Sequence, residues 1–206
     1  MDFVSTNGIH PTTKGVGFLP VEIVNFYLDA YGYLVDNDYL EEILWAASID
    51  PLEQQTAELF LWEYVWVIAN TGMREQVART IYQKVFTTHD PMVIGHPGKR
   101  AAVQRAFQEY DVWFDTLLKA DDKLAYLESL PWIGPTTKYH LARNIGIDCV
   151  KPDRHLKRLA QRFGYATPDD LCRDIMNEVG GRLGMIDLVL WRYCNLVGSQ
   201  LSDTEN

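Results

Sequence analysis

Cysteine is scarce in this chain: three in 206 residues, Cys149, Cys172 and Cys194, odd in number and widely spaced. That argues against a disulfide framework, and each is expected as a small buried side chain rather than a nucleophile or a metal ligand. Long apolar runs are missing too. No stretch has the roughly 20 apolar residues of a membrane-crossing helix, and the first residues lack the basic-then-apolar order of a secretory signal. A soluble, cytoplasmic protein with no membrane partner is expected. There is no run of strict apolar/polar alternation, no internal repeat and no low-complexity tract. The histidines show no metal-ligand spacing.

Positive charge is also in short supply, and unevenly so. The net charge is -9, and from Met1 to Trp66 only Lys14 is basic, against eleven Asp and Glu. Such a balance disfavours non-specific binding to a polyanion. A ligand meets the local field rather than the total, however. Between Pro131 and Phe163 seven basic residues (Lys138, Arg143, Lys151, Arg154, Lys157, Arg158, Arg162) face two acidic ones, Asp148 and Asp153.

What the chain has in quantity is helical periodicity. Met1 to Gly17, rich in Thr, Gly, Asn and Pro, is expected as an irregular arm. Helices are expected over Pro20–Tyr33, Asp38–Ala47 and Glu53–Asn70. The last carries Phe60, Leu61, Trp62, Tyr64, Val65, Trp66 and Ile68; apolar nearly all round, it is expected at the centre of the fold. Asn70–Glu75 breaks it, with Thr71 as the expected cap of a helix from Arg74 to Phe86. Further helices are expected over Lys99–Lys119, Asp121–Ser129, Pro168–Val179 with Thr167 as cap, and Leu183–Leu196. The predicted fold class is all-α.

The most informative stretch is Leu130 to Phe163, which reads as tight turn, helix, short loop and helix. Pro131-Trp132-Ile133-Gly134-Pro135 forms the turn; Gly134 gives backbone freedom, and Pro135 suits a first helical turn. The helix that follows packs Tyr139, Leu141, Ala142 and Ile145 and stops at Gly146. Pro152 breaks the chain again, and Asp153 stands as N-cap of an amphipathic helix with Leu156 and Leu159 on one face and Arg154, Lys157, Arg158 and Arg162 on the other.

Hairpin, loop and an Asp-Arg-His-Leu helix in this order resemble the helix-hairpin-helix DNA glycosylase superfamily. The resemblance implies a two-lobed helical fold with the active-site cleft between lobes. One lobe would take residues 1–51 plus 145–206, the other residues 52–144, ending in the hairpin. It also implies double-stranded DNA with a damaged or modified base as partner, and a monomer is expected. The hairpin amides (Ile133, Gly134, Thr136, Thr137) would hold backbone phosphate, since N–H groups at a turn and helix start form an anion site. Hairpin carbonyls in the family also hold a structural monovalent cation; no other cofactor or metal is expected. Some members carry a four-cysteine iron–sulfur cluster, which three scattered cysteines do not supply. Trp132 departs from the pattern, standing where the family has its first glycine, as a DNA contact or a packing residue that pins the turn.

Asp153 is the candidate catalytic carboxylate. Breaking an N-glycosidic bond builds positive charge on the sugar, which a carboxylate stabilises while taking a proton from water. On its own it would read as an ordinary N-cap; the resemblance gives it the catalytic role. Members with lyase activity carry a Lys where this chain has Thr136. Lys138 lies two residues on, about 200° round the helix, so a monofunctional, water-using enzyme is expected. Trp62, Trp66, Asn70, Met73 and Tyr139 are candidates for the pocket of an extruded base, with Tyr64 and Trp191 behind them. Arg74, Lys99, Arg100, Lys138, Arg154, His155 and Lys157 are candidate phosphate contacts, and ordinary surface or structural roles compete with each. The target base stays open, with a modified base of phage DNA one option. A phage-type base-modifying transferase and a non-catalytic DNA-binding module are the alternatives.

Overall fold

The computed structural model describes residues 20–198; the expected arm over residues 1–17 lies outside them. Every regular element in the described residues is helical: α1 Pro20–Asp36, α2 Leu40–Ser48, α3 Ala57–Asn70, α4 Glu75–Thr88, α5 Pro97–Lys119, α6 Lys123–Ser129, α7 Thr137–Asn144, α8 Arg154–Arg162, α9 Pro168–Val179 and α10 Leu183–Val197. Short 3-10 turns precede α3 (Leu52–Gln54) and α5 (Pro91–Val93). None of the described helices is long and apolar enough to cross a membrane.

Local capping chemistry sets several of the helix starts. Thr56, Asp122 and Thr167 accept amides of the first turns of α3, α6 and α9. His96 does the same for α5, its Nδ1 facing the amides of Gly98 and Lys99. Thr71 departs from expectation. Its amide and hydroxyl both donate to Val67 O, so it closes α3 rather than opening α4, which starts at Glu75 with no side-chain cap.

The helices gather round two hydrophobic cores. Phe60, Tyr64, Val65 and Ile68 of α3 pack with Val85 of α4, Val103 and Leu117 of α5, and Leu141 and Ala142 of α7. Ile23, Tyr27 and Leu34 of α1 pack with Ile43 of α2, Leu156 and Leu159 of α8, Leu171 and Ile175 of α9, and Ile186 and Leu190 of α10. Burying each such aliphatic side chain contributes about 1.5–3 kcal/mol. Cys172 and Cys194 lie in this second core and Cys149 is half-buried, all three as free thiols. Burial pushes Cys149 up to about 12 and Cys194 up to about 11, far from thiolate chemistry.

The cores meet at the end of α7. Gly146 has φ +89°, and a Cβ there would lie 2.1 Å from Asp50 O, so the link from α2 to α3 crosses against a bare glycine backbone. Its amide donates to Arg143 O, and that of Ile147 to Ala142 O, closing α7. Arg182, before α10, donates to Ile49 O and Gly146 O and so fastens both strands of the crossing.

Candidate functional site

A cleft of about 890 Å³ runs between the two cores. Each helix that lines it contributes one face, its residues recurring at about one-turn spacing. Glu63, Trp66 and Asn70 come from α3; Glu75, Arg79 and Tyr82 from α4; His140, Arg143 and Asn144 from α7. Facing them are Glu41, Glu42 and Trp45 of α2 and Asp187, Trp191 and Arg192 of α10, with Lys151 between α7 and α8.

Charge in the cleft is mostly paired. Glu42 takes Arg192 in a two-point contact at 2.6 and 2.9 Å, and Arg79 pairs with Glu75 while lying 5.5 Å over the Trp66 ring. Arg192 also stacks over Trp191 at 4.8 Å. Deeper in, Asp187 is 2% exposed; its Oδ2 accepts the Lys151 amide at 3.1 Å and lies 3.6 Å from Arg143 Nη1. Burial pushes its carboxyl up to about 6, with the Arg143 charge working the other way. His140 is pushed down to about 4 by burial and then by the cations Arg143 and Lys151, which makes it a neutral imidazole at neutral pH. Burial also raises Glu63, whose Oε2 accepts from Asn144 Nδ2 at 2.8 Å.

Asp153 stands beside this floor. It caps α8, one oxygen accepting the amides of His155 (2.8 Å) and Leu156 (3.0 Å); the other oxygen has no partner among the described residues. It is half-buried, two residues beyond cleft-lining Lys151, and its charge is felt at Asp187. The cleft wall itself does not include it.

In the hairpin, the Gly134 amide is already spent on Thr137 Oγ1 at 2.7 Å, and that of Ile133 on Leu130 O. The amides of Thr136 and Thr137 have no partner among the described residues and are the ones left for an anion. Tyr64 Oη donates to Pro131 O at 2.5 Å and so ties the turn to α3. Trp132 adopts φ +63°, the left-handed region that suits a glycine better than an indole. Its ring lies tilted against His96, centroids 4.8 Å apart, and fills the space above Gly98, where a Cβ would lie 2.3 Å from it. The indole thus joins the turn to the start of α5, with 42% of the residue still exposed.

Of the residues singled out for the base pocket, Trp66 and Asn70 line the cleft and so does Trp191. Trp62 points elsewhere, against Tyr82, Phe86, His89 and Phe107. Tyr64 is wholly buried, and Met73 and Tyr139 are half-buried off the cleft wall. Among the phosphate candidates Arg74, Arg154 and Lys157 are exposed, and Arg154 Nε donates to His155 Nε2 at 3.3 Å. Lys99 is not on the surface. It is 4% exposed, with its ammonium donating to Thr71 O (2.5 Å) and Ala69 O (3.4 Å), so it closes the end of α3. Arg100 is likewise turned onto Ile94 O and Gly95 O. Lys138 pairs with Glu128 at 2.5 Å. Glu63, His140, Arg143, Asn144 and Asp187 were missed by sequence reasoning. Asp187 carried a signal: a lone acid inside Leu183-Gly-Met-Ile-Asp-Leu-Val-Leu.

Two helical cores, a cleft between them and a hairpin followed by an Asp-capped helix define the DNA-glycosylase-like fold. A crystal structure of Methanocaldococcus jannaschii 8-oxoguanine DNA glycosylase superposes on 86% of this chain and 95% of its own, with a TM-score of 0.59 and 17% sequence identity. The resemblance carried by Leu130–Phe163 therefore extends to the fold of nearly the whole described chain. No protein-family model and no curated protein sequence matches.

Proposed function

We propose that this chain is a monofunctional DNA glycosylase, which turns a damaged or modified base out of double-stranded DNA and hydrolyses its N-glycosidic bond. The observation that carries the reading is Asp153: held by two amides through one oxygen, with the other free, beside the cleft and downstream of a hairpin with two unspent amides. Thr136 and Thr137 grip a phosphate, the exposed Arg154 and Lys157 add charge, and the base enters the cleft against Trp66. As the bond from C1′ to the base breaks, the Asp153 carboxylate stabilises the positive sugar and takes a proton from the attacking water. The base leaves with the bonding electron pair and is protonated, leaving an abasic site.

Two features favour water over an amine as the nucleophile. Thr136 occupies the position of the lyase Lys, and the Glu128 hydrogen bond raises Lys138, which keeps its amine protonated. At the hairpin, the carbonyls of Trp132 and Ile133 accept no bond among the described residues and are the ones that would hold a monovalent cation. The test is a panel of modified-base duplexes and phage genomic DNAs incubated with the chain, with released bases measured by mass spectrometry. Free base and alkali-labile sites are expected; a base altered in mass but still attached to DNA would favour the transferase instead.

A further inference from the structure

Asn144 is 7% exposed and lines the cleft, yet only half of its amide is engaged. Nδ2 donates to Glu63 Oε2, while Oδ1 is buried and has no partner. With the amide nitrogen donating to Glu63 Oε2, the oxygen is turned away from that carboxyl. Buried acceptors without a donor are rare in folded proteins, because losing water without replacement is costly. One residue earlier Arg143 Nε is a second atom of this kind, a buried donor without an acceptor, on a side chain that lines the same cleft.

We infer that Asn144 is the specificity-determining residue of the cleft: an incoming base opens access to its Oδ1, closed to water in the free chain, and that oxygen accepts a ring N–H from a base bearing a lactam or imide edge. Guanine-type bases present N1–H beside a carbonyl, and thymine- and uracil-type bases present N3–H between two. At the corresponding ring positions adenine and cytosine carry a lone pair, which would face the Asn144 lone pair and leave both unsatisfied. Glu63 is the positioning residue, fixing which end of the amide the base meets. The inference rests on the glycosylase reading for how a base arrives, but recognition of the base edge is measurable apart from bond cleavage.

The experiment is a ligand-observed NMR titration of the full chain with thymidine, deoxyguanosine, deoxycytidine and deoxyadenosine. Thymidine and deoxyguanosine should bind at least about ten-fold more tightly than the other two. Asn144→Leu, close in shape but without the acceptor, should level the preference. Glu63→Gln can turn either its oxygen or its nitrogen to Asn144 and should weaken it, which keeps the test open if Asn144→Leu does not fold. Equal or tighter binding of deoxycytidine or deoxyadenosine, or no binding of any nucleoside at millimolar concentration, overturns the inference. A preference found without base release from DNA would sink the catalytic reading alone; base release with a preference untouched in both variants would sink only this one.

Discussion

The carboxylate of Asp187 on α10 accepts the backbone amide of Lys151 at 3.1 Å, two residues before the cap of α8. A helix from the far end of the chain thereby holds the strand that presents Asp153. The contact is kept although burial pushes Asp187 from 3.8 up to about 6. Below 3.8 both folded and unfolded chains carry the proton; between 3.8 and about 6 only the folded chain keeps it, so stability falls as pH rises through this window. The loss is on the order of 3 kcal/mol. Asp187→Asn removes this titration, so the stability of the wild type relative to the variant should drop by that order across the window, as measured by urea unfolding. A difference that does not change with pH would show that Asp187 titrates as an ordinary carboxyl.

Lys99 and Lys157 look alike in sequence and should behave as opposites. Lys99→Met strips the donor from Ala69 O and Thr71 O and should cost about 1–3 kcal/mol of stability. It should leave the salt dependence of DNA binding unchanged. Lys157 is exposed and has no side-chain partner among the described residues. Lys157→Ala should leave stability intact and lower the slope of log K against log salt by about 1.

That contrast marks what was legible in the sequence. Caps and breakers act on their own neighbours, so Thr167, Pro152, Asp153 and Gly146 set their boundaries as expected. The hairpin was readable for the same reason. Roles that depend on distant partners were not. Asn144 meets Glu63 across 81 residues, and Lys99 reaches carbonyls 28 and 30 residues away. Thr71 is a good cap residue between two helices, and nothing local decides which helix it serves. The α3 stripe Glu63, Trp66, Asn70 was half seen: its spacing is helical, but Trp62 looks equally eligible until Phe86 and Phe107 are found against it.

Lys138 gives a further check. Its ammonium sits 2.5 Å from Glu128 Oε2, and that bond raises its pKa, the reverse of what an amine nucleophile requires. Borohydride should trap no protein–DNA adduct, and Lys138→Gln should release base at close to the wild-type rate. An adduct that disappears in Lys138→Gln would replace the proposed monofunctional activity with a bifunctional one.

In the proposed mechanism Asp153 acts on the sugar as well as on the start of α8. Asparagine caps a helix about as well as aspartate, so Asp153→Asn should preserve the fold and the two amide contacts while removing the charge. Base release from the best duplex of the panel should then fall by at least about 100-fold, with DNA binding retained. Release at the wild-type rate from a folded Asp153→Asn chain would mean that the carboxylate takes no part in breaking the bond.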